Sequence, residues 1–274
     1  MEPFVQETKR YLSIEQWIEH QPRLVAGFTT REGGKSQSPF NSLNMGFHVA
    51  DNPKDVLENR FLLANDIQIP LSNWIGSEQV HESTVRKVEK SDAGRGSENL
   101  ESAIAHTDGI YTLERNLLLT SLYADCVPLY FYAPSYGAVG LAHAGWRGTV
   151  QNIGASMVKL WHEIEGIPPE AIQVAIGPCI SQTAYEVDQK VIEEIDRCWP
   201  KHLNDRPYKK QLNNKYLLDL REVNKEFVLQ VGIKPDNVLV SSICTATDAR
   251  MFSHRAEHGK TGRMMSFIGV RGGE

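Results

Sequence analysis

Long apolar runs are missing from this chain. No stretch approaches the roughly 18 apolar residues that a membrane-spanning helix needs, and the opening MEPFVQETKRYLSIEQWIEH is broken throughout by charge. That opening reads as neither signal peptide nor anchor, so a cytoplasmic location is expected. Cysteine is scarce too. Cys126, Cys179, Cys198 and Cys244 form no CxxC pair, which leaves no disulfide framework in a reducing compartment. Positive charge is not in excess: 29 Lys and Arg against 34 Asp and Glu give a formal net charge of -5. This argues against a broad electrostatic grip on nucleic acid and for small-molecule partners. GRG at Gly94 to Gly96 is completed by neither GK[ST] nor GxGxxG, so ATP and NAD binding have no motif behind them.

What is present suits a substantial core: 274 residues, 41% hydrophobic. LVAGFT (24–29) reads as a strand and the Gly/Ser/Asn-rich segment after it as a long loop. Asp51 and Asn52 before Pro53 open a helix whose apolar face is Val56, Phe61, Leu62, Leu63 and Ile67. Residues 74–80 read as a strand ending at His81. DGIYTL, NLLLTSLYA, VPLYFYA and AVGLAHA look like consecutive strands of one buried sheet. From Thr149 the period lengthens, with Val150, Ile153, Met157, Leu160, Trp161 and Ile164 on one helical face. IQVAIG and VLVSSI read as strands, DQKVIEEIDRCW and DLREVNKEFVLQVG as helices, and FSHRAEHGKTGRMMSFIGVR as a tail. With no internal repeat or linker, a single layered α/β (α+β) domain over 1–274 is expected, mixed sheets flanked by helices, with 1–23 as an N-terminal extension.

Cys126 and His143 both stand where an apolar run meets small residues. A soft thiolate with two imidazoles suits zinc or copper, and three protein ligands with an open fourth position is the usual catalytic zinc arrangement. By context His81 is the best second imidazole, since it too closes a strand-like run. The spacings are long and nothing local fixes the geometry, so a buried core histidine and cysteine remain alternatives. After His143, Gly145 and Gly148 let backbone approach a ligand, and Arg147 with the amides opening the next helix favours an anion. Arg31 beside Gly33 and Gly34, and His254, Arg255, His258, Lys260 and Arg263 in the tail, form polar loops able to hold phosphate, or else solvated faces.

TTREGG at Thr29 to Gly34, NSLNMGFHV at Asn41 to Val49, ADCVPL at Ala124 to Leu129, HAGWRGT at His143 to Thr149, IGPCI at Ile176 to Ile180 and the late CT, FSHR and TGR segments resemble the YfiH/laccase-domain family of bacterial purine nucleoside enzymes. The resemblance implies a layered α/β fold shared with certain cysteine-hydrolase toxins and one metal, generally zinc, on His81, Cys126 and His143. It implies phosphorolysis of adenosine, inosine, guanosine and methylthioadenosine to base and pentose 1-phosphate, and deamination of adenosine to inosine. Asp125 would then serve as general acid or orient a ligand, with Arg31 and Arg147 holding phosphate and His254 and Arg263 behind them. Alternatives are a copper polyphenol oxidase, although the chain has nine histidines and no HxH, and a metal-free hydrolase of cell-wall precursor peptides with Cys126 as nucleophile and His143 as base. A structural zinc domain would need Cys179 or Cys244 as a fourth ligand.

Overall fold

The computed structural model describes residues 1–272. Fifteen strands follow one another along them: β1 Phe4–Thr8, β2 Tyr11–Ile14, β3 Leu24–Thr29, β4 Trp74–Gly76, β5 Val85–Lys87, β6 Gly109–Thr112, β7 Leu118–Tyr123, β8 Val127–Ala133, β9 Ala138–Ala144, β10 Gln173–Ile176, β11 Glu186–Val187, β12 Tyr208–Lys210, β13 Tyr216–Leu218, β14 Val238–Val240 and β15 Met264–Val270. The first sheet runs β1-β2-β3-β15-β7-β4, the second β14-β10-β8-β9-β6-β5, and a small third sheet β11-β13-β12. Both large sheets are mixed, antiparallel except at β4/β7, β10/β14 and β5/β6. The helices are α1 Glu15–His20, α2 Pro53–Ile67, α3 Trp146–Val150, α4 Ile153–Glu165, α5 Gln189–Cys198 and α6 Leu220–Gln230.

Why the sheets stack follows from strand alternation. On β8, Tyr130 and Tyr132 turn to a core shared with Phe28, Leu119 and Ile268 of the first sheet, while Leu129 and Phe131 turn to the helices carrying Met157, Trp161 and Phe227. On β7, Leu119 enters the shared core and Leu118 meets Leu63 and Ile67 of α2. The result is four layers: α2, first sheet, second sheet, then α4, α5 and α6. Each fully buried Leu, Phe or Trp in these layers contributes roughly 1.5–3 kcal/mol, so the strand ends are held stiffly. Among the described residues no helix is long and apolar enough to cross a membrane.

Several expectations change. Residues 1–23, read as an N-terminal extension, are built into the fold: β1 pairs antiparallel with β2 and β2 with β3 at the edge of the first sheet, and Phe4, Leu12, Ile14 and Trp17 are buried. The supposed tail ends in β15, the strand between β3 and β7. The four consecutive runs do not share one sheet. β7 crosses to the first, because its alternating residues serve two cores at once. The helix expected from Thr149 is two helices, split at Asn152, which adopts a left-handed φ of 59° and caps α4 by accepting from the Ala155 amide. Ile164 and Phe61 are exposed. The strand over 74–80 stops at Gly76, and His81 stands in a bend with φ 64°.

Candidate metal centre and its cleft

β8 and β9 build half of the centre. Cys126 immediately precedes β8, and in the antiparallel register Val127 faces Ala144 and Pro128 faces His143. The hairpin therefore brings a thiol and an imidazole 17 residues apart in sequence to the same end of the sheet. Gly145, which caps α3, occupies the space beside them: a Cβ there would stand 3.2 Å from Cys126 Sγ and 3.3 Å from His81 Cδ2. His81 comes from the loop between β4 and β5, and its ring meets that of His143 edge-on at 4.8 Å between centroids. The ligand atoms of His81, Cys126 and His143 all lie within 4.8 Å of one another, the one such group of three or more His, Cys, Asp or Glu donors among the described residues.

A buried carboxylate that sequence reasoning passed over lies beneath them. Asp108, whose side chain is fully enclosed, accepts the Nδ1–H of His143 at 2.8 Å and the His81 amide at 3.0 Å on Oδ1, and the amides of Val80 and Glu82 at 3.1 and 2.9 Å on Oδ2. Burial opposes its ionisation, but these bonds, led by the one from His143, prevail and hold its carboxyl below the ordinary range. Its only sequence signal was a polar residue ahead of a strand, indistinguishable from turn punctuation.

Burial alone would raise the Cys126 thiol; the facing imidazoles of His143 and His81 outweigh it and bring it down to about 6. Burial likewise opposes the imidazolium of His143, and Cys126 and Asp108 reverse that, lifting it to about 9. The pair thus leans towards the thiolate, the form in which cysteine binds metal or attacks carbon. One thiolate and two imidazoles form a donor set that zinc or copper accepts, so the residues fit a metal ion.

The centre lies in a cleft of about 710 Å³. Asp125, Arg147, His254 and Arg263 line it, as the sequence led one to expect, together with His48, Trp146, Tyr185 and Arg255. Arg31 does not line it. Its guanidinium pairs with Glu257 at 3.0 Å, donates to the carbonyls of Asn41 and Met251 and lies 4.5 Å from the Phe252 ring centroid. Asp125 spends both oxygens on loop contacts, taking the Thr245 hydroxyl at 2.6 Å and the Arg255 amide at 2.9 Å. Cys179 and Cys244 stay outside the donor cluster; Cys179 accepts from Arg221 Nε at 3.1 Å and Cys244 from the Ser181 amide at 3.3 Å. No fourth cysteine ligand closes the centre, which removes the argument for a structural zinc domain.

A model of the family described as multi-copper polyphenol oxidoreductase laccase matches residues 25–271. The chain is 43% identical over 273 residues to the purine nucleoside phosphorylase YlmD of Bacillus subtilis (strain 168), covering 98% of each. It is 46% identical over 248 residues to the purine nucleoside phosphorylase YlmD of Geobacillus stearothermophilus, covering 90% of each. The crystal structure of YlmD from Geobacillus stearothermophilus matches at a TM-score of 0.95 and 44% identity, over 99% of this chain and 100% of that one. That of the Bacillus licheniformis hypothetical protein YfiH matches at 0.94 and 42%, over 98% and 99%. Matched over almost its whole length in both sequence and fold, this chain belongs to the multi-copper polyphenol oxidoreductase laccase family, alongside its YlmD and YfiH relatives.

Proposed function

We propose that the protein is a zinc-dependent purine nucleoside enzyme, acting on small-molecule substrates. It would cleave adenosine, inosine, guanosine and methylthioadenosine with phosphate, and deaminate adenosine to inosine. The observation that carries this reading is the union, in one cleft of about 710 Å³, of a single His2Cys donor cluster with Arg147, Arg255, Arg263 and His254, opposed by only Glu78 and Asp125. A cleft of that size holds a nucleoside. Its positive lining suits a phosphate beside it.

In phosphorolysis a phosphate oxygen bonds to C1' of the pentose as the bond from C1' to the purine nitrogen breaks, and the electron pair leaves with the base. Arg147, Arg255 and Arg263 would hold the phosphate in line, replacing the solvation it loses on entering. Trp146 and Tyr185 offer aromatic faces for the purine. Asp125, engaged by Thr245 and Arg255, is assigned to orienting the loop that carries His254 and Arg255 rather than to acid catalysis. His48 stays neutral at pH 7, pushed down to about 4 by burial and then by Arg263, so it can accept as well as donate a hydrogen bond. A bound zinc ion on His81, Cys126 and His143 would supply Lewis acidity at the floor of the cleft.

A second reading has its own observation. Cys126, His143 and Asp108 follow the order nucleophile, base, orienting carboxylate, which would serve a metal-free hydrolase of cell-wall precursor peptides. The same donors would accept copper, and a polyphenol oxidase would then oxidise phenols. One experiment separates the three. Protein of measured metal content is incubated in parallel with adenosine, with cell-wall precursor peptides and with a phenol, each with and without phosphate, chelator and added copper, and the products are resolved by chromatography. Phosphate-dependent adenine with ribose 1-phosphate, and phosphate-independent inosine, both abolished by chelator, are expected. Turnover of peptides that survives chelation would replace the proposal with the hydrolase, and phenol oxidation dependent on added copper would replace it with the oxidase.

A further inference from the structure

Asp108 is buried more completely than its chemistry should allow. An enclosed carboxylate costs several kcal/mol unless its charge and lone pairs are met, and no Lys or Arg pairs with it among the described residues; its one ionisable partner is His143. Every side-chain hydrogen bond it accepts comes from residues 80–82 or from His143. Its main chain joins the same group, with the carbonyl accepting the His143 amide at 2.8 Å and the amide donating to Thr84 at 3.1 Å. A carboxylate present only to stabilise the fold would have no reason to spend all four acceptor positions on the two ligand-bearing segments.

We infer that Asp108 is a positioning residue for the metal centre, one that sets the tautomer of His143 and holds His81 in its left-handed bend. This rests on the metal reading given above. By taking the Nδ1–H, Asp108 leaves Nε2 of His143 as the donor on the cleft side, a fixed choice between two ring nitrogens. By gathering three successive amides, it holds His81 at φ 64°, a conformation uncommon for a residue with a Cβ.

The test is zinc affinity, read by competition with a chromophoric chelator and independent of any substrate. Asp108→Asn retains one acceptor oxygen, but its NH2 faces amide donors, so zinc binding is expected to weaken about 10- to 100-fold. In a His81→Ala background the same change should cost a smaller factor, because part of its effect runs through His81. A cobalt-loaded Asp108→Asn protein should also show an altered thiolate-to-metal absorption band. Unchanged zinc affinity and cobalt spectrum in a variant with native circular dichroism would overturn the assignment. Should the variant not fold, nitrogen-15 histidine spectra of the zinc-loaded wild type decide: His143 protonated on Nδ1 supports it, and protonation on Nε2 refutes it. Zinc binding without nucleoside turnover would sink the proposed function and leave this assignment standing.

Discussion

TTREGG at Thr29 to Gly34 and HAGWRGT at His143 to Thr149 look alike as sequences, each an arginine among glycines next to a strand, yet the fold gives their arginines different surroundings. In the first, the half-buried Arg31 pairs with Glu257, donates to two carbonyls and lies against the Phe252 ring, bracing the 250s segment against the loop after β3. In the second, Arg147 is exposed, lies 5.3 Å from the Trp146 ring centroid and has no carboxylate partner among the described residues. Arg31 is paired with a carboxylate and does not line the cleft, whereas Arg147 lines it without such a partner. Partner availability, not loop composition, separates the two.

The glycines should break the comparison most sharply. At Gly145 a methyl would stand 3.2 Å from Cys126 Sγ and 3.3 Å from His81 Cδ2, so Gly145→Ala should weaken zinc binding by about 10- to 100-fold, read as metal retained after dialysis against a chelator. At Gly33, with φ 81° and Lys9 Cε 2.7 Å from the ideal Cβ, alanine should lower stability by about 1 kcal/mol in urea unfolding and leave zinc content unchanged. Equal metal loss in both variants would show that the first loop also shapes the centre.

The contrast extends to cysteines. After chelation, alkylation of Cys126 should rise with pH through about 6 and then level off, since below that pH the thiol keeps its proton and above it the thiolate is exposed to attack. Cys179, which burial pushes up to about 11 despite Arg221, should stay unmodified throughout. At pH 7 the rate for Cys126 should exceed that of an ordinary thiol by about two- to threefold, since the larger thiolate fraction is mostly offset by the lower nucleophilicity of a low-pKa thiolate, and zinc should suppress it. Mass spectrometry of tryptic peptides checks both.

The smallest effects belong to the arginines. Arg255→Met is expected to raise the KM for phosphate about fivefold, and Arg31→Met to leave it within about twofold while costing about 1.5–3 kcal/mol of stability, the range for hydrogen bonds to a charged group. A phosphate KM that moves with Arg31 and not with Arg255 would reverse the assignment.

Much of this was legible in residues 74–144. Cys126 and His143 were readable because their positions at the ends of apolar runs report strand ends, which is where a sheet exposes side chains. His81 was found by its context, although the run before it ends at Gly76 and a bend does the placing. Asp108 was not readable, since its role depends on amides 26 to 28 residues away and a ring 35 residues away. His48 was hidden inside a polar loop motif, and Arg255 was visible only as one of several polar residues in the tail.

By itself the sequence determined the elements whose cause is local. The helix at Pro53–Ile67 carries its own cap at Asn52 and its own apolar stripe, and the strand at Val127–Ala133 carries its own apolar run. Only the tertiary structure decided that β7 leaves its neighbours for the other sheet, that β1, β2 and β15 enter the first sheet, and that Arg31 pairs with Glu257 outside the cleft while Arg255 lines it. The physical reason is that hydrogen-bond partners and buried faces are shared across long loops, and a donor's availability is known only once every competing acceptor has been placed.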